Sequence, residues 1–101
     1  MDIQKLMKQA QEMQAGMQKT QEELANKNVE ASVGGGKVTV TANGSGDVQS
    51  IRIDPSVVDP DDVDFLQELI LSGVQEAVTK GKEMAAAEMS KLTGGLGLPG
   101  M

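Results

Sequence analysis

Two long helix-forming stretches flank only 27 residues of strand-like sequence, and this imbalance constrains the chain more than any other feature. In residues 2–27, Ile3, Leu6, Ala10, Met13, Met17, Thr20 and Leu24 recur at alternating spacings of three and four. That period is a heptad seam on one face of a helix, and Met7 widens it. Gln, Lys and Glu, all good helix formers, fill the other face; Gly16 is the one weak position.

From residue 28 to 54 the period changes to two. Val29, Ala31 and Val33 alternate with Glu30 and Ser32, and Val38, Val40 and Ala42 alternate with Thr39 and Thr41. Gly34-Gly35-Gly36 and Asn43-Gly44-Ser45-Gly46 supply the two turns. Val48 is out of parity with Ile51 and Ile53, which calls for a bulge near Gln49-Ser50. Short connections make this a three-stranded antiparallel meander. After Asp54-Pro55, the run Asp59-Pro60-Asp61-Asp62 reads as a helix start, with Asp59 as cap and Pro60 in the first helical position. The second helix is expected over 60–92, and Thr93-Gly94-Gly95 ends it. Residues 93–101, rich in Gly and Pro, are expected to form a flexible tail.

The fold class is therefore α+β, helix–three-stranded meander–helix, in a single domain spanning 1–101. At 1.5 Å per residue the helices reach roughly 40–50 Å, far beyond a three-stranded sheet. Their outer halves must pair with each other or with a second protomer. The expectation is a homodimer with long, tweezer-like helical arms.

Composition removes whole classes of function. The chain has no Cys and no His, so disulfides, thiolate or imidazole metal sites and the usual nucleophile–base pairs are excluded. Phe65 is the sole aromatic residue. No stretch reads as a signal peptide or a membrane span, so the expected location is the cytoplasm. Gly95 to Gly100 matches GxGxxG only formally, because no strand precedes it. The acids Asp59, Asp61, Asp62 and Asp64 read as a solvated helix N-terminus rather than a cation site, since Asp64 stands where a calcium loop needs Gly. The expectation is no enzyme, no cofactor, no metal, no small-molecule substrate and no membrane partner.

The net charge of −6 argues at first against a polyanion. Its distribution changes that. Residues 1–52 carry six acids and six bases, while Asp54, Asp59, Asp61, Asp62, Asp64 and Glu68 lie in a stretch without a base. Measured from junctions near residues 28 and 60, Lys8 and Lys80 both lie about 30 Å out along their helices. Lys5 and Lys82 lie slightly further, Lys91 beyond them, and Lys19 completes the arm set. Lys27, Lys37 and Arg52 read as solubilising charges. The expectation is a bipolar molecule whose arm lysines meet the phosphates of double-stranded DNA. One arginine and no aromatic stack leave little equipment for reading bases.

Three stretches carry a resemblance. They are Leu6 to Gln14, Gly34 through Ile51-Arg52-Ile53-Asp54-Pro55-Ser56, and Lys91-Leu92-Thr93-Gly94-Gly95-Leu96-Gly97-Leu98-Pro99. In this order the chain resembles the YbaB/EbfC nucleoid-associated proteins of bacteria. The resemblance implies a homodimer joined through the sheets, projecting helices, DNA binding with little sequence preference, and a place in the nucleoid. Carried over, Lys5 and Lys8 fall on the first arm, and Lys80, Lys82 and Lys91 on the second. Gly16 departs from the pattern, as relatives often carry a lysine there. The competing reading is a prefoldin-like holdase chaperone or scaffold that grips apolar chains with Met-rich arms.

Overall fold

A computed structural model of the chain describes residues 2–94; the expected flexible tail lies, from residue 95 on, outside the described residues. Helix α1 spans Ile3–Ala25, and strands β1 (Asn28–Val33), β2 (Val38–Asn43) and β3 (Val48–Ile53) follow. After a single 3-10 turn at Pro55–Val57, helix α2 spans Val63–Gly94. Asp2 opens α1: its carboxylate accepts the backbone N–H of Lys5 at 3.3 Å, satisfying one of the first-turn donors that have no partner inside the helix.

The strands pair antiparallel in the order β1-β2-β3. Val29, Ala31 and Val33 stand opposite Ala42, Val40 and Val38, and the last two stand opposite Ile51 and Ile53. All therefore share one face of the sheet. The bulge that the parity of Val48 demanded is present. Thr41 pairs with Ser50 and Ala42 with Val48, so Gln49 is the extra residue and Val48 returns to the inner face. The β1–β2 turn needs its glycines, as Gly34, Gly35 and Gly36 all have positive φ.

Helix α2 lies on this inner face, over β1 and β2, and hardly reaches β3. The core is Ala31, Val38, Val40, Ala42 and Ala77. Val38 and Val40 are fully buried, each worth about 1.5–3 kcal/mol of apolar burial. The approach is close because α2 presents small residues every fourth position. A β-carbon on Gly73 would meet Val40 Cγ2 at 2.9 Å, Ala77 is fully buried, and Gly81 abuts the backbone carbonyl of Asn43. Because α2 stops short of β3, Val48 and Ile51 face inward yet remain 40% and 42% exposed.

The second helix begins later than the sequence implied. Asp59 does not cap it and Pro60 is not its first residue. The Asp59 carboxylate instead accepts the N–H of Asp61 at 2.9 Å, and the Asp59 carbonyl accepts that of Asp62 at 3.0 Å. This turn is made first, and the capping position falls to Asp62, whose carboxylate accepts from Phe65 N at 3.4 Å. At the other end, the helix continues through Thr93 and Gly94.

Candidate nucleic-acid interface

The projecting part of the molecule is α1, in which Leu24 is the one buried residue. The described chain is correspondingly elongated, with extents of 71 × 26 × 17 Å. Asn43 fastens the arm to the sheet. Its side-chain amide donates to the carbonyl of Ala25 at 3.2 Å, and its carbonyl oxygen accepts from Ser45 N at 3.0 Å and Asp47 N at 2.9 Å. One buried side chain thus joins the end of α1 to the β2–β3 turn. Next to it, Gly44 N donates to Leu24 O at 2.9 Å and to Lys27 O at 3.1 Å. A side chain on Gly44 would collide with Leu24, so glycine is required for this approach. The Asn-Gly pair reads in sequence only as a turn; its grip on α1 has no local signal, because Ala25 lies 18 residues back.

The two helices run antiparallel from this joint. Lys27 Nζ lies 3.9 Å from Glu88, and Gln21 and Leu24 share a cleft with Ala85 and Met89. Further out, a β-carbon on Gly16 would lie 3.8 Å from Leu92 Cδ1. From that level, α1 runs on toward Ile3 for about 20 Å.

This geometry separates lysines that the sequence grouped together. Lys80 and Lys82 do not lie about 30 Å out beside Lys5 and Lys8. Lys80 Nζ donates to the carbonyl of Glu30 at 3.1 Å, on β1, and the Lys82 side chain passes 3.4 Å from the β-carbon position of Gly46 in the β2–β3 turn. Both belong to the body. The reason is that α2 does not leave the sheet where it starts: Gly73, Ala77 and Gly81, spread over about two turns, hold it on the sheet. The outward distance must be counted from about residue 82, not from 60.

Lys91 lies near the end of α2 and shares Glu88 with Lys27, at 3.6 Å. Lys37 pairs with Asp54 at 3.5 Å, and Arg52 with Glu30 at 3.8 Å, as expected of surface charges. Lys5, Lys8 and Lys19 are exposed and have no ion pair among the described residues. Lys8 and Lys19 are eleven residues apart, about three helical turns, and so share one face of α1. From Lys5 to Lys19 the three span about 21 Å.

The acidic stretch occupies the opposite pole. Ile53 pairs with Val38 beside the β1–β2 turn, whereas α1 joins β1 at the other end, where Asn28 pairs with Asn43. Asp54 and the acids that follow it therefore sit away from the arm. The Asp54 carboxyl is held below its ordinary value of 3.8, chiefly by the hydrogen bond from Ser56 N at 2.8 Å, with Lys37 assisting. At physiological salt the field of exposed charges fades over about 8 Å, so this pole does not repel a polyanion at the tip of α1. Among the described residues no group of three acids is placed to hold a metal ion, and no helix is long and apolar enough to cross a membrane.

Comparison with known proteins gives this arrangement a lineage. The model of the YbaB/EbfC DNA-binding family matches residues 1–96. A nucleoid-associated protein of Ruminiclostridium cellulolyticum is 59% identical over 97 residues, covering 95% of this chain and 84% of that one. One from Akkermansia muciniphila is 54% identical, covering 98% and 95%. In fold, the chain is similar to the uncharacterized protein HP0035 from Helicobacter pylori, with a TM-score of 0.80 at 22% identity, over 92% of this chain and 98% of that one.

Proposed function

Because this chain belongs to the YbaB/EbfC DNA-binding family, we propose that it is a nucleoid-associated protein that holds double-stranded DNA through lysine–phosphate contacts along α1. The observation that carries this reading is the set Lys5, Lys8 and Lys19: exposed, unpaired among the described residues, and on the helix that projects furthest. Lys82 and Lys91 are secondary contacts near the base of the arm and on α2; Lys80, tied to Glu30, contributes least. Contacts of this kind position a duplex without reading its sequence.

The working unit is a homodimer, at home in the bacterial nucleoid. Val48 and Ile51 support this, as an inward-facing apolar edge that α2 leaves uncovered. A second chain laid on that edge completes the core.

An anisotropy titration with unrelated duplexes at several salt concentrations tests the reading. With three to five phosphates neutralised, log affinity falls against log salt with a slope of roughly −3 to −5. Absence of binding at low salt, together with suppression of client aggregation, would replace it with the holdase reading. Exposed Met7, Met13 and Met17 give that reading its footing.

A further inference from the structure

The face of α1 that carries no lysine is the least explained surface of the molecule. Ile3 is 68% exposed and Met7 58%, and Leu6, Met13 and Met17 are also exposed. These residues form one apolar stripe, and α2 meets it only at its inner end, where Leu92 approaches Gly16 and Met13. The margins of the stripe are uniform. Gln9, Gln11, Gln14 and Gln18 border its outer part, and all are neutral. Lys5, Lys8, Glu12 and Lys19 fall at positions further round the helix. An arm that only needed solubility would carry charge along these margins. A margin without charge fits a surface that meets a copy of itself, where a charge beside the centre of the contact, at Gln9 or Gln11, would face its own like.

We propose that the apolar stripe of α1 pairs antiparallel with the same stripe of a second copy, as a contact separate from the sheet edge at Val48 and Ile51. The direction follows from charge. Parallel arms would set two acidic bodies side by side, each chain carrying −6, whereas antiparallel arms keep them at opposite ends. Ala10, midway between Ile3 and Met17, lies at the centre of the contact, where its small side chain lets the helices approach. The lysines then line the outside of the paired arms. The inference rests on the homodimer proposed above: the sheet edge makes dimers, and the arms join dimers into tetramers that present lysines to two duplexes.

The chain has no cysteine, so an Ala10→Cys variant reports on the contact without interference. Mild oxidation of the full-length variant is expected to give an interchain disulfide, and a Lys8→Cys control is expected to give none. Light scattering over a wide concentration range is expected to show the wild-type mass doubling from dimer to tetramer. Gln9→Glu with Gln14→Glu should return it to the dimer, and mixing with a Gln9→Lys, Gln14→Lys chain should restore the tetramer. A constant dimer mass with no Ala10→Cys disulfide overturns the proposal. So does association that appears only when residues 95–101 are removed, because the chain's own tail then covers the stripe. Capture of unfolded client without self-association overturns it as well. A disulfide in a species of two chains, never four, leaves the arm contact standing and removes the sheet-edge dimer instead.

Discussion

Gly81 runs so close beneath the carbonyl of Asn43 that a β-carbon at position 81 would overlap that oxygen. The partner is backbone, which cannot swing aside. Gly81→Ala should therefore destabilise the protein by about 2 kcal/mol or more, with overpacking outweighing the gain of about 1 kcal/mol in helix propensity. Gly16→Ala should do the reverse. Its β-carbon would meet Leu92 at an ordinary 3.8 Å, so the gain of about 0.8–1 kcal/mol from replacing a mid-helix glycine is kept. Urea midpoints at one fixed protein concentration check both signs.

Val40 is fully buried at the centre of the sheet, opposite Ala31 and Ile51. Val40→Asp places an unpaired carboxylate there and should abolish cooperative unfolding, a loss of about 4 kcal/mol or more. Ser50→Asp, on an exposed position of β3, should stay within about 0.5 kcal/mol of wild type. Circular dichroism melts separate the two outcomes.

Asn43→Ala removes three hydrogen bonds at once and leaves the carbonyl of Ala25 and the N–H groups of Ser45 and Asp47 to find new partners. A loss of about 1–3 kcal/mol is expected. Hydrogen exchange should rise at the C-terminal turn of α1 and in the β2–β3 turn before it rises in β1 and β2. Uniform exchange across the chain would show that the joint is not a local fastening.

Asp54 carries a small acid limb of the stability curve. Its folded pKa is below the unfolded value, so its contribution is present above about pH 4 and is lost as pH falls through the lowered folded value. Asp54→Asn should melt below wild type at pH 7, and the difference should close in strong acid. A difference of the same size at both extremes would assign the effect to Ser56 packing rather than to charge.

Charge reversal on the arm and on the body should separate in DNA binding. Lys8→Glu with Lys19→Glu is expected to flatten the salt slope by about 2, one unit for each lost phosphate contact, and to leave the fold intact. Lys80→Glu with Lys82→Glu should change it less. The reverse ranking in a salt-series titration would move the interface from α1 to the body.

The periodicities of the sequence carried the element types, the meander and the bulge at Gln49, because each is a local pattern of two or about 3.6. What they did not carry was the seating of α2. Gly73 and Gly81 add no side chain to a helical periodicity, but each marks where helix and sheet nearly touch, and that contact lies in space rather than along the chain. The error at Lys80 and Lys82 follows from it. Counting from residue 60 puts both on an arm, but the helix stays on the sheet past residue 81. Asp59 and Pro60 misled for a different reason: a cap and a turn use the same residues, and only the position of Asp62 decides between them.

The joint at Asn43 and Gly44 also fixes the angle at which α1 leaves the sheet. Helix α1, at 23 residues, is a rigid boom about 34 Å long. A change of about 5° in that angle would move its tip by about 3 Å, close to the 3.4 Å axial rise between phosphates along one strand of a duplex. The four residues of the β2–β3 turn, tied to the end of α1 through Asn43 and Gly44, thus set the direction of the arm. If the arm lysines hold phosphates as proposed, substitutions there would shift which phosphates they meet, and the gauge of the grip would be encoded at its hinge rather than in its jaws.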